Sequence, residues 1–407
     1  MNKDFVIFIE SNTSGTGRLF LRAADQLGYR PVMLVEKPER YPFLQTDSIP
    51  YVACNTSSCA EMSEALRVFQ RTARIAGIFS SSDYFVESGA RLAAEHHLPG
   101  ENPSAIAACR NKAVQRQRLQ EAGLRTPQFV CVHSVQEATA ALEKIRLPVV
   151  VKPTIGSGSV GVRLCSSPAQ VADHAGALLE RSVNERGMPV PAEILLEEYL
   201  IGPEFSVETL GRTVLGITRK HVSQEPFFVE LGHDFPAGLS REIAESITEV
   251  AQEGLRALGL GWGPAHVEVR LTASGPAIIE INPRLAGGFI PEIVRRAFGV
   301  DPIRETMKLV VDQPAYILPV QNECSSIRFL TPSRGGVISA ITGLNEAASV
   351  DGVVDVQTYR KVGDRVGIEN DFRDRIGHVI SCAAKEAQAA SVSELARSRI
   401  KIDIMAN

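Results

Sequence analysis

The sequence predicts an α/β protein of several lobes that opens on a parallel sheet. Three observations carry this. The first hundred or so residues alternate short apolar runs with amphipathic ones, the βα rhythm of a parallel sheet. The middle holds a glycine-rich turn between two apolar runs, "VVVKPTIGSGSVGVRLC". The last third pairs two alternating runs across "TASGP", a stretch of turn chemistry. A chain of 407 residues suggests two or three domains, and 44% hydrophobic with 22% charged residues is ordinary globular composition.

The elements follow in order. "FVIFIES", "RPVMLVEK" and "IAGIFSSS" read as strands. "GRLFLRAADQLG", "CAEMSEALRVFQRTAR" and "YFVESGARLAAEHH" read as the helices between and after them. Ligands of such sheets bind beyond the carboxyl ends of strands, so Glu10 to Thr13 and Ser80 to Asp83 edge a potential site. Gly15 and Gly17 resemble a nucleotide-binding turn only loosely and read as a plain βα turn. A Pro/Gly/Asn turn then leads into one long basic helix ending at Gly123. "HSVQEATAALEKI" is a helix, "LPVVVKPT" a buried strand, and "SPAQVADHAGALLERS" a helix opened by serine. "AEILLEEYLIGPEFSVETL" reads as strand, loop, strand. A long helix (239–258), two strands (266–282) and a helix from Pro291 follow. The tail from Ala315 is strand-rich, and a final helix, "RIGHVISCAAKEAQAA", closes the chain.

Composition narrows the function. A net charge of −4 leaves no basic footprint for nucleic acid. No run approaches the ~18 apolar residues of a membrane span. "MNKDFVIFIESN" reads as a first strand and not a signal peptide. Seven cysteines lie scattered without CxxC or Cys/His clusters, which argues against a disulfide framework or structural zinc and fits a reduced cytoplasm.

The chemistry concentrates at "HVEVRLTASGPAIIEINPRLAGG". Strand alternation puts Glu280, Asn282 and Arg284 on one face, and Ile279 and Ile281 on the other. In a hairpin centred on Ser274, Glu268 stands opposite Glu280. Like charges directly opposite repel, so a cation belongs between them. Arg270, Arg284 or Mg²⁺ would serve, and Asn282 adds a neutral oxygen.

Upstream, Gly156, Gly158 and Gly161 match G-x-G-x-x-G, but a strand follows the motif and not a helix. It is therefore a hairpin tip, whose backbone N–H groups can approach phosphates; Ser157 and Ser159 add hydroxyls. Lys152 sits inside an apolar strand, where a buried amine needs a partner such as phosphate. Lys112, on a helix 40 residues earlier, is a second candidate.

In this order these motifs resemble the ATP-grasp superfamily over the length of the chain: Lys112 in "NK", Lys152 in "VKP", "GSGSVGV", "LLEEYLIGPEFSVE", "HVEVR" and "EINPR". The resemblance implies an ATP-grasp fold with four parts. They are an N-terminal parallel α/β domain (1–105), a linker helix and lid subdomain with the glycine loop (106–200), a catalytic subdomain (201–314) and a strand-rich C-terminal α+β subdomain (315–407). It further implies that Lys112 and Lys152 hold ATP phosphates beneath Ser157, Gly158 and Ser159. Glu197, Glu198, Tyr199 and Leu200 form the adenine hinge, and Glu204 binds the ribose. Glu268, Glu280 and Asn282 ligate two Mg²⁺ ions, with Mn²⁺ an alternative.

Within the superfamily, "QEPFFVELGHDFPAG" and "SIRFLTPSRGGV" are similar to the L-amino-acid ligases, the bacilysin-type and dapdiamide-type dipeptide ligases. By that resemblance Glu230 and His233 line an amino-acid pocket, Arg284 holds a carboxylate or the intermediate, and Asp83 stands where relatives usually carry glutamate. His233 is the candidate base. Gly288, four after Arg284, lies where the bacilysin-type enzyme carries a bulky aromatic, implying a roomier pocket that Gly287 also lines. The implied reaction joins a carboxylate to an amine through an acyl phosphate, with Arg284, Lys152 and His233 as catalytic residues. A purine-type carboxylase or formate-using ligase is the alternative. The partners implied are ATP and amino acids, in a cytoplasmic protein for which relatives suggest a homodimer.

Overall fold

The computed structural model describes residues 3–13, 16–71 and 73–406. Gly15, of the loose nucleotide-turn match, lies outside them. The N-terminal sheet is parallel, in the order Tyr51–Ala53, Arg30–Val35, Phe5–Ile9, Ile75–Phe79. Both of its faces are buried, as helices on both sides require. Val6 and Phe8 pack with Phe20, Met307 and Val310, while Phe5, Ile7 and Ile9 pack with Met62, Leu66 and Leu92. Met307 and Val310 belong to the distant helix Pro302–Val310. That helix lies so close that a Cβ on Gly77 would stand 2.5 Å from the Val310 carbonyl.

A second sheet, antiparallel, runs Phe129–Val132, Ile194–Glu198, Val149–Pro153, Arg163–Cys165. Val149 and Val151 join a core with Val171, Ala175 and Leu178 of the helix Pro168–Leu179. The alternate residues Val150 and Lys152 turn to a cleft. The glycine loop is the tip joining Val149–Pro153 to Arg163–Cys165, a hairpin as its sequence predicts.

The largest sheet has eight antiparallel strands, including Glu204–Leu210, Thr213–Val222, Glu230–Phe235, Pro264–Thr272 and Gly275–Asn282. Its apolar face (Phe205, Val207, Ile217, Val267, Val269, Ile278, Ile281) packs on Ile247, Ala251, Leu255 and Leu258 of the helix Arg241–Leu258. Ser240 caps that helix by accepting from the Ile243 N–H, and Gly259 ends it in the left-handed conformation. A three-stranded sheet, Arg365–Val366, Gly336–Thr342 and Lys401–Met405, lies near the C-terminus. No helix among the described residues is long and apolar enough to cross a membrane.

Two expectations of secondary structure are corrected. The basic helix is two helices, Pro103–Arg110 and Lys112–Glu121. Asn111 breaks it at ψ 110° and caps the second helix, its side chain accepting from the Ala113 and Val114 N–H groups. The closing helix is a strand, Gly377–Ala383, followed by the helix Glu386–Arg399 and a last strand. "HVISC" pairs with Cys324–Leu330 and is buried between neighbours, so tertiary pairing decides its state.

Candidate active site

The two glutamates meet as predicted: Glu268 pairs directly with Glu280. The route differs from the simple hairpin. The turn spans Thr272 to Gly275, which alone would set Glu268 against Ile279. A bulge between Glu268 and Val269 on the register restores the pairing. Ile279 is the extra residue, so it lines the cleft and does not turn to the core. Helix Lys112–Glu121 fixes this irregular strand. Arg116, fully buried, donates to the Ile279 carbonyl, and Gln115 both donates to the Ile281 carbonyl and accepts from its N–H, each at 2.9 Å.

The face that carries Glu268, Glu280 and Asn282 is the floor of a cleft. Lys112, Lys152, Ser157, Gly158, Ser159, Glu197, Glu198, Tyr199, Leu200, Glu204, Glu230, Glu268, Glu280, Asn282 and Arg284 all line it. Asp83, His233, Gly287 and Gly288 do not. Asp83 is joined to the lining through Arg284 at 2.6 Å, and His233 stands 3.7 Å from Glu230. Glu10 also serves elsewhere: its carboxylate accepts from the Glu36 N–H, Thr56 and Tyr41.

The cations beside the paired glutamates are lysines, not the arginines that the sequence suggested. Lys112 Nζ lies 3.2 Å from Glu280 and donates to the Gly156 carbonyl at 2.9 Å. Lys220 Nζ lies 2.8 Å from Glu204, 2.9 Å from Glu230 and 3.2 Å from Glu268. Arg270 instead binds Glu204 and the Leu200 carbonyl, and Arg284 binds Asp83. Lys220 was not singled out from "GITRKHV". Its strand position, on the same face as Thr218 and across from Glu204, is the signal that could have found it.

Charge pairing sets the protonation states. Burial works against the charge on Lys220, yet its three carboxylates raise its pKa well above the ordinary value. Burial likewise opposes ionisation of Glu230 and Glu268, but Lys220 holds both carboxyls well below their usual range, helped by Arg375 at Glu230 and His266 at Glu268. His266 contacts Glu208 at 3.0 Å and Glu268 at 3.2 Å; these outweigh its burial and raise it to about 9. Asp83 is buried, but Arg284 and Arg110 lower it to about 2. Burial pushes Lys152 down despite Glu197 at 2.5 Å. Burial also decides at His233, lowering it to about 3, and neither ring nitrogen has a hydrogen-bond partner among the described residues.

The donors on the floor fit a hard divalent ion. Glu268, Glu280 and Asn282 offer only oxygen ligands, from adjacent strands, beside lysines suited to phosphate. Elsewhere, Cys131, His133 and Glu193 bring ligand atoms within 4.8 Å of one another. This corrects the expectation of no Cys/His cluster: Cys131 on the strand Phe129–Val132 and His133 just after it meet Glu193, just before the paired strand Ile194–Glu198. Burial and Glu193 push the Cys131 thiol up to about 11, so it is protonated at neutral pH.

Known proteins resemble this chain. Residues 145–292 match the ATP-grasp domain family, and residues 328–405 match the L-amino acid ligase C-terminal domain 2. An uncharacterized protein of Sinorhizobium fredii, y4rH, is 35% identical over 96% of this chain and 81% of its own length. An L-arginine-specific L-amino acid ligase of Bacillus subtilis is 23% identical over 79% of this chain and 78% of its own. The crystal structure of an L-amino acid ligase from Bacillus licheniformis superposes with a TM-score of 0.82 at 22% identity, covering both chains fully. The chain belongs to the ATP-grasp superfamily. Within it, it belongs to the L-amino-acid-ligase-like group, and it is a ligase that forms a C–N bond.

Proposed function

We propose that the enzyme joins an amino acid, or an amino-acid-like carboxylate, to the amine of another amino acid, using ATP and Mg²⁺. ATP and the first carboxylate give an acyl phosphate and ADP. The amine then attacks the acyl carbon, and phosphate and a proton are released. The observation that carries this reading is the continuity of one cleft. An acidic floor with phosphate-binding lysines runs on to Glu230 and Arg284, charged groups suited to the two ends of an amino acid.

Glu268, Glu280 and Asn282 would hold two Mg²⁺ ions, which Mn²⁺ would replace; the metal would offset phosphate charge. Lys112 and Lys152 bind phosphate oxygens. Burial disfavours the Lys152 ammonium, and a phosphate partner would favour it. Glu197, tied to Lys152 and Arg116, fixes that lysine while the backbone of Glu198 to Leu200 meets the adenine. The glycine loop covers the phosphates, and Ser159 anchors it by donating to the Phe228 carbonyl at 2.9 Å. Arg284, permanently charged and held by Asp83, stabilises the oxyanion that forms as the amine attacks. His233, at about 3, is too weak a base to take the amine's proton, and its role is to shape the pocket beside Glu230.

The C-terminal match to L-amino acid ligases favours this reading over a purine-type carboxylase or formate-using ligase. ADP release in mixtures of amino acids tests it. Turnover that depends on particular amino-acid pairs is expected. Tight ATP binding with no turnover in any mixture would overturn it.

A further inference from the structure

A short segment late in the chain, Asp371 to Arg375, touches both ends of the cleft. At one end Phe372 lies against the glycine loop. Its backbone N–H donates to the Gly158 carbonyl at 3.2 Å, and a Cβ on Gly158 would stand 2.5 Å from its ring. At the other end Arg375 donates from Nε to the Glu230 carbonyl at 3.2 Å and pairs with the Glu230 carboxylate. Its guanidinium also lies 4.3 Å over the Phe329 ring.

The backbone between them is tied down. The buried Asp371 carboxylate accepts from the Arg373 N–H at 2.9 Å. The buried Asp374 carboxylate accepts from the N–H groups of Glu369 and Asn370 at 2.7 and 2.9 Å. A hydrogen-bonded turn therefore joins the glycine loop to Glu230, the glutamate at the proposed substrate end of the cleft. Sequence inspection would not single it out, since "NDFRDR" reads as an ordinary polar loop.

We propose that Asp371 to Arg375 is a clasp. Phe372 seats the glycine loop in its closed position, and Arg375 is a positioning residue that aims the Glu230 carboxylate at the ammonium of the amino-acid substrate. The second half rests on the ligase reading above; the first does not. Closure keeps water from the acyl phosphate. With the clasp gone, water attacks the acyl carbon, the acyl–oxygen bond to phosphate breaks, and the carboxylate is regenerated. ATP is then spent without an amide.

Hydrogen exchange of the Phe372→Ala variant with bound Mg·ADP tests the clasp without any turnover. The Phe372 ring is partly exposed (37% for the residue), so little core is lost. Amides of residues 157–162 are expected to exchange about tenfold faster, with the strand Pro264–Thr272 unchanged as internal reference. Wild-type exchange in the loop, or an equal rise across the whole chain, would overturn the proposal. Because this arm needs no substrate, its failure is separable from failure of the ligase reading.

Product assays extend the test. Phe372→Ala should release more than one phosphate per amide formed, whereas unchanged coupling would contradict the clasp. Arg375→Ala should raise the amino-acid KM about tenfold while kcat and the ATP KM move less than about threefold, and Arg375→Lys should recover part of it. Equal rises in both KM values would contradict the positioning role.

Discussion

The proposed nucleotide end and the proposed substrate end of the cleft are built in different ways. The carboxylate floor comes from one hairpin, Pro264 to Asn282, whose alternation and short turn nearly settle which groups meet. At the other end, Glu230 and His233 of one strand, Gly288 and Arg375 come from three separate segments and meet only through folding. A local motif tolerates one irregularity, the bulge at Ile279, because a helix grips it through Arg116 and Gln115. An assembly of distant groups depends on every partner, and small changes there should alter selectivity before they alter the fold.

The largest expected effect falls on the floor. Glu280→Gln should lower turnover on the order of 1,000-fold or more while the protein stays folded, since it removes a charged ligand and spares the shape. Near wild-type rates would break the contrast by showing that the floor is structural. Next comes Gly288→Trp. The residue sits at φ 59°, and a Cβ would stand 2.5 Å from His233 Nε2. The backbone conformation alone should cost about 1–3 kcal/mol, and activity should fall with every substrate. A narrowed substrate range with small substrates kept would instead show that His233 yields and that the glycine only sets pocket size.

A pH effect is smaller. The folded-state pKa of His266, about 9, lies above its ordinary value of 6.5. Its stabilising contribution is therefore complete below about pH 6.5 and is lost as pH rises through about 9. Denaturant melts of the metal-free protein should show a loss of up to roughly 3 kcal/mol across that window, and His266→Gln should flatten it. The smallest effect is at the lid. Ser159→Ala removes one hydrogen bond to the Phe228 carbonyl and should cost about 1 kcal/mol, seen as a weaker ADP affinity.

Much of the floor was legible because strand period and turn length are local properties. That one hairpin brings Glu268 and Glu280 together was legible from the two alternating runs, although the bulge sets the exact pairing, and Lys152 was legible from its place in an apolar run. The alternation failed at Ile279 because a bulge depends on the neighbouring strand and on Arg116, neither visible in "AIIEIN". Lys220 and Arg375 were missed for the same reason: each matters through carboxylates remote in sequence. Asn111 was misread as helix interior, although a residue of its type commonly caps. "HVISC" was misread as helix because its two strand partners, Cys324–Leu330 and Val353–Thr358, lie outside the segment itself and well upstream of it.

The most direct test of the central claim is product analysis by mass spectrometry, with ADP counted in parallel, in a mixture of amino acids with Mg·ATP. Products weighing two amino acids less one water, formed together with ADP and absent for Glu280→Gln, are predicted. ADP formation indifferent to amino acids, or products gaining carboxylate or formyl mass, would contradict it.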